Sequence, residues 1–268
     1  MRIPIAILCV PAVAGILAAA PAAQDPWARV PKSPTACYSS QDKYNDEIGA
    51  AIDAVNQDIY KQQEINTQLN EKLNNLDPME QASRMQTYMM ENPEEVTRLM
   101  EWTQTGLPEG QAEAARESEN EEALTAELKD IQSRYEAAFE KSLGPLYARL
   151  SALGISESSA TPELTAQGMA IIKQINAAYE KACPEWWGAT GHFHAWLKKY
   201  KDHLVNNRIP HRERGEAMKM TQFKVMGIPA DAFRPTVAME TVVLYMNEAL
   251  AIFEGREINP KTTPMIPK

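Results

Sequence analysis

The residues best equipped for chemistry lie late in the chain. All four histidines, His192, His194, His203 and His211, fall in one stretch, with Met218-Lys219-Met220 and Met226 close behind. Imidazole nitrogen with thioether sulfur is a ligand set for copper(I), and imidazole alone suits zinc. His192, His194, Met218 and Met220 are therefore the candidate metal ligands. Residues i and i+2 do not share a helix face, so the two adjacent histidines would have to ligate from a loop ahead of a helix. His192, Trp196, Tyr200 and His203 do share one helical side. That pattern equally describes a partly buried aromatic cluster, and methionine fills irregular helical cores. The structural reading is preferred.

Other catalytic signatures are missing. The chain has no His-Glu-x-x-His, no Cys-x-x-Cys-His, no Gly-x-Ser-x-Gly and no Gly-rich phosphate loop. Glu94-Glu95 and Glu121-Glu122 are neighbouring carboxylates in first-turn or solvated positions and read as structural. No catalytic residue and no cofactor is expected.

The cysteines point to a compartment. Arg2 precedes an apolar stretch, Ile3 to Ala20, that contains Cys9. Ala20-Pro21-Ala22 then places small residues at the positions a signal peptidase reads, so 1–22 is expected to be a secretory signal with Ala23 as the new N-terminus. Cys37 and Cys183 remain. A pair in an oxidising compartment reads as a disulfide. It would close a span of 146 residues (183 − 37), worth about 5 kcal/mol by chain entropy. No second apolar run is long enough to cross a bilayer. The expected location is periplasmic or secreted, with no transmembrane segment after signal removal.

The net charge is −9, unevenly spread. From Glu185 to the C-terminus twelve basic side chains stand against nine acidic ones, which leaves −12 for the rest. An acidic chain with no concentrated basic stripe is a poor nucleic-acid binder. The basic run Lys198 to Arg214 reads as a solvated helix face, or as a surface for an acidic partner or lipid head groups. Ala112 to Glu122 is acidic and reads as solvated or frayed.

These residues need helices to hold them. Ile48, Ile52, Val55, Ile59, Leu69, Leu73 and Leu76 follow alternating four-three spacing, interrupted at Gln62 and Asn66: a seam with one polar layer. A return helix is expected over 109–153, with a kink at Gly144-Pro145. Between them a compact Met-rich tip should comprise two short helices, the second opened by Asn92-Pro93 and closed by Thr105-Gly106-Leu107-Pro108. Thr161-Pro162-Glu163 starts another helix. Two more follow over about 193–206 and 212–226. Gly227-Ile228-Pro229 breaks the chain before an apolar last helix ending at Gly255.

The expected fold is all-α: a long antiparallel coiled-coil hairpin with additional packed helices and a disulfide-clamped base. The expected organisation is a signal peptide at 1–22, an extended arm at 23–40, and the hairpin and bundle at 41–183 with its tip at 77–108. A C-terminal helical region (184–255) and a flexible tail (256–268) complete it. The seam could be filled within one chain or by a second copy, so a homo-oligomer is one expectation. Met85, Met89, Met90, Leu99 and Met100 are the candidate partner-binding residues. The function expected is that of an exported, non-enzymatic adaptor or chaperone-like module contacting other envelope proteins. A copper- or zinc-handling protein is the rival and a small-molecule enzyme comes third.

Overall fold

A computed structural model describes residues 25–32, 38–155 and 161–253. The expected signal peptide, Cys37 and the tail at 256–268 lie outside the described residues. Within them the chain is all-helical, with no strand. A short 3-10 turn, Pro26–Arg29, precedes α1 (Tyr38–Asn74), α2 (Pro78–Glu91), α3 (Pro93–Ala152) and α4 (Pro162–Trp186). Then come α5 (His192–His203), a π-helical turn (Leu204–Arg208), α6 (Ile209–Val225) and α7 (Val237–Phe253). Helix starts follow local chemistry. Asp77 Oδ1 accepts from the Met79 amide at 2.8 Å, and Thr161 Oγ1 accepts from the Leu164 amide at 3.2 Å. Each is followed by proline at the first helical position, where no amide hydrogen is needed.

The centre of the bundle is α7. It is apolar on nearly every side, and Val242, Met246 and Ala249 have no exposed surface. A helix of that composition must be enclosed. α1 runs antiparallel along it: the Tyr44 and Phe253 rings are 4.7 Å apart at one end, and Gln63 Nε2 donates to Glu240 Oε1 at 3.3 Å towards the other. Ile48, Ile52, Val55 and Ile59 join the α7 residues in one core. Burial of each such side chain contributes about 1.5–3 kcal/mol.

This pairing corrects the expected hairpin. α1 packs chiefly on α7, and α3 packs on α4 and α5. The α1 stripe is covered within one chain, by a helix far away in sequence. The α3 stripe meets α4 through Leu143, Ile171 and Ile175, with Phe139, Leu150 and Tyr179 around them.

The polar layer of α1 has a different role from a coiled-coil register. Gln62 Nε2 donates to the Ala232 carbonyl at 2.9 Å and Asn66 Nδ2 to the Arg234 carbonyl at 3.0 Å, while Gln62 also donates to Asn66. The two side chains hold the α6–α7 connection against α1. Beyond them Leu69, Phe223, Met226, Ile228 and Phe233 form a second core. α6 ends in a glycine turn: Gly227 has φ +61°, and the Ile228 amide donates back to the Phe223 carbonyl at 2.9 Å.

The break expected at Thr105–Pro108 does not occur, and the helix stays continuous through the site of the kink expected at Gly144-Pro145. α3 is one helix of 60 residues, about 90 Å at 1.5 Å per residue, and runs through both Thr105–Pro108 and Gly144-Pro145. An interior proline costs about 3 kcal/mol, and packed neighbours can offset it. Leu143, two residues before Pro145, is buried, and Leu146 packs against the same α4 core. The second expected tip helix is therefore the beginning of α3. The N-terminal arm is also more than extended chain. Trp27 packs on Tyr245 with ring centroids 5.4 Å apart, and Arg29 pairs with Asp58 at 2.6 Å.

Candidate functional site

α5, the π turn and α6 form one uninterrupted helical run, 192–225, against α3. Fully buried Trp196 donates its Nε1 hydrogen to the Leu124 carbonyl at 2.8 Å. Lys199 pairs with Glu127 at 2.7 Å. Further along, Arg208 Nη1 lies 3.1 Å from Glu121 and 3.4 Å from Glu117, and His211 Nδ1 lies 2.7 Å from Glu117 Oε2. His203 Nε2 stands 3.9 Å from Glu121 Oε1, and its Nδ1 lies 3.3 Å from Asn207 Nδ2.

The acidic segment and the basic run singled out in the sequence therefore meet each other. The nearby His203 ring is the largest influence holding the Glu121 carboxyl below its ordinary range; burial opposes it and the Arg208 charge assists. Arg208 stands between the two carboxylates, so the cluster works as an ion-pair clamp between α3 and the π turn.

The histidine and methionine candidates are not brought together. The His192 ring lies 4.8 Å from that of Trp186, and the His194 Nδ1 is buried without a hydrogen-bond partner. Met220 is exposed on α6, and the Met218 side chain lies outside the described residues. His194 and Met218 are separated by about 36 Å along a straight helix. Among the described residues no three His, Cys, Asp or Glu side chains form a metal-binding group.

Sequence reasoning missed a buried acid. Glu248 sits in the middle of apolar α7, 5% exposed, with Oε2 unpaired. Burial pushes its carboxyl up to about 7. Tyr200 is packed deep in the same core; burial first, then the Glu248 charge, raises its hydroxyl. The available signal was a carboxylate in the second half of a helix that is mostly apolar, well past the first turn where Glu240 sits.

α2 carries the other candidate surface. One side is fixed: Arg84 donates to the Met226 carbonyl and pairs with Glu80 at 2.7 Å, and Lys224 lies 5.8 Å over the buried Tyr88 ring. Away from those contacts, Met79 and Met90 are 79% and 69% exposed, and Met85 and Met89 are 41% and 40% exposed. Met85 and Met89 are four residues apart and share a face. Leu99 and Met100 fall in the first part of α3, where their side chains lie outside the described residues.

The chain matches no family model, and no curated protein or solved structure is significantly similar to it. No described helix is long and apolar enough to cross a membrane.

Proposed function

We propose that the protein is an exported, non-enzymatic helical module that binds other envelope proteins through the methionine face of α2. One observation carries this reading: four methionines stand exposed on a 14-residue helix anchored by Arg84 and Tyr88. A fixed helix presenting mobile thioether side chains suits adaptable recognition of an apolar partner surface. Leu99 and Met100, in the first part of α3, belong to the proposal on their sequence position alone.

Export and the Cys37–Cys183 bridge belong to this reading. Cys183 is buried in the core that also holds Tyr44, early in α1, and Cys37 immediately precedes that helix. A bridge there would fasten the start of α1 to the end of α4. The metal-handling alternative is subordinate, because its histidine and methionine pairs occupy opposite ends of one helical run.

The test is Met85→Gln with Met89→Gln in the full chain, assayed by crosslinking in envelope preparations and by thermal unfolding. Crosslinked partners lost while the melting temperature stays within a few degrees is the expected result. Unchanged crosslinks with a large drop in melting temperature would reduce the face to a packing element.

A further inference from the structure

Five aromatic residues and the exposed Glu185 are among those lining a partly open cavity of about 220 Å³ between α3 and α4. Tyr135 and Phe139 come from α3, and Tyr179 and Trp186 from α4, with Trp187 at its end. The rings stand nearly at right angles: Tyr135 and Trp186 at 72° and 5.4 Å, Phe139 and Tyr179 at 84° and 6.3 Å. The space is therefore walled on several sides. Among the described residues, Glu185 is the one charged side chain lining it, with no lysine or arginine.

Ring faces carry negative potential, and a carboxylate adds a full charge. Burial raises the Tyr135 hydroxyl, so that residue lines the cavity as a neutral phenol. Such a site favours a compact cation. A primary ammonium would bring three N–H donors that need partners, and aromatic faces satisfy them poorly. A quaternary ammonium has no N–H, spreads its charge over methyl groups and loses little hydration on entry.

We propose that this cavity binds the trimethylammonium group of a small soluble molecule, with the rings taking the methyl surface and Glu185 the charge. The carboxylate at the site disfavours ligands that carry their own anionic group beside the ammonium. The inference is independent of the α2 reading, since the two surfaces share no residue.

The experiment is calorimetric titration of the full chain with choline and, separately, with 3,3-dimethylbutan-1-ol, its neutral isostere. Choline should bind at least about tenfold more tightly, the scale expected of a cation–π contribution. Glu185→Gln is a surface change that should leave folding intact and weaken choline about threefold or more while leaving the isostere unchanged. Phe139→Leu should weaken choline in proportion to the lost ring face. Equal affinity for the two ligands would show an apolar cavity with no preference for cations. Absence of a saturable choline signal at millimolar concentration in the folded wild type would overturn the proposal outright.

Discussion

Arg208 and Glu121 lie 3.1 Å apart across the junction between the π turn and α3, both in places where water has little access. The guanidinium also faces Glu117, so one cation balances two carboxylates. Arg208→Met would leave that pair facing each other. Removing one partner of a buried ionic group costs about 3–5 kcal/mol; because Glu121 is partly open to solvent, about 3 kcal/mol is expected. Urea unfolding at neutral pH measures it. Adding Glu117→Gln should recover part of the loss, and failure to recover any would show that the arginine acts through its aliphatic stem.

Glu248 sets a stability window. Its folded value, pushed up to about 7, lies above that of an unfolded glutamate, so the folded state holds the proton more tightly. The corresponding stabilisation is fully present below about pH 4.5 and is lost as pH rises through about 7. Glu121 is shifted the other way, so its contribution is present above the unfolded value and lost at lower pH. Glu248→Gln should therefore flatten the fall in melting temperature between about pH 5 and pH 8 and stabilise the protein at the alkaline end by up to about 3 kcal/mol. An unchanged slope would place the ionised carboxylate in a better-solvated setting than its burial implies.

The Gln62–Asn66 pair predicts a local effect. Replacing both with leucine removes the two bonds to the Ala232 and Arg234 carbonyls. Amides of the α6–α7 connection should exchange hydrogen faster, with a global cost of about 1–2 kcal/mol. Uniform acceleration across α1 and α7 would mean that the pair supports the whole bundle.

Export and the bridge are tested together by intact mass. Protein recovered from the envelope should begin near Ala23 and gain two hydrogens on reduction, with no alkylatable thiol beforehand. Two reactive cysteines in the native protein would remove the clamp at the start of α1.

The sequence disclosed the helices better than their partners. The stripe from Ile48 to Ile59 and the caps at Asp77 and Thr161 are local signals, and local signals are readable from spacing. Which helix covers the stripe is not local: α7 lies far along the chain, and periodicity marks a buried face without naming its neighbour. Gly106 and Pro108 look like a helix end because propensity weighs each residue alone, whereas α3 continues through them. The acidic and basic runs were visible as charge, but their mutual neutralisation depends on α5 and α6 lying beside α3. The aromatic cavity was invisible for the same reason. Its rings are drawn from two helices.

The π turn at Leu204–Arg208 also bears on how this chain can vary in length. A π turn is an α-helix that has absorbed one extra residue. Losing one residue there would restore an ordinary helix and keep Trp196 on one side and Phe223 on the other at their present azimuths. The same deletion elsewhere between 192 and 225 would swing everything downstream by about 100°, carrying Phe223 away from Leu69. Relatives one residue shorter in this run should have their gap at the ion-pair clamp, the one place where the helix can shed a residue without turning its back on the core.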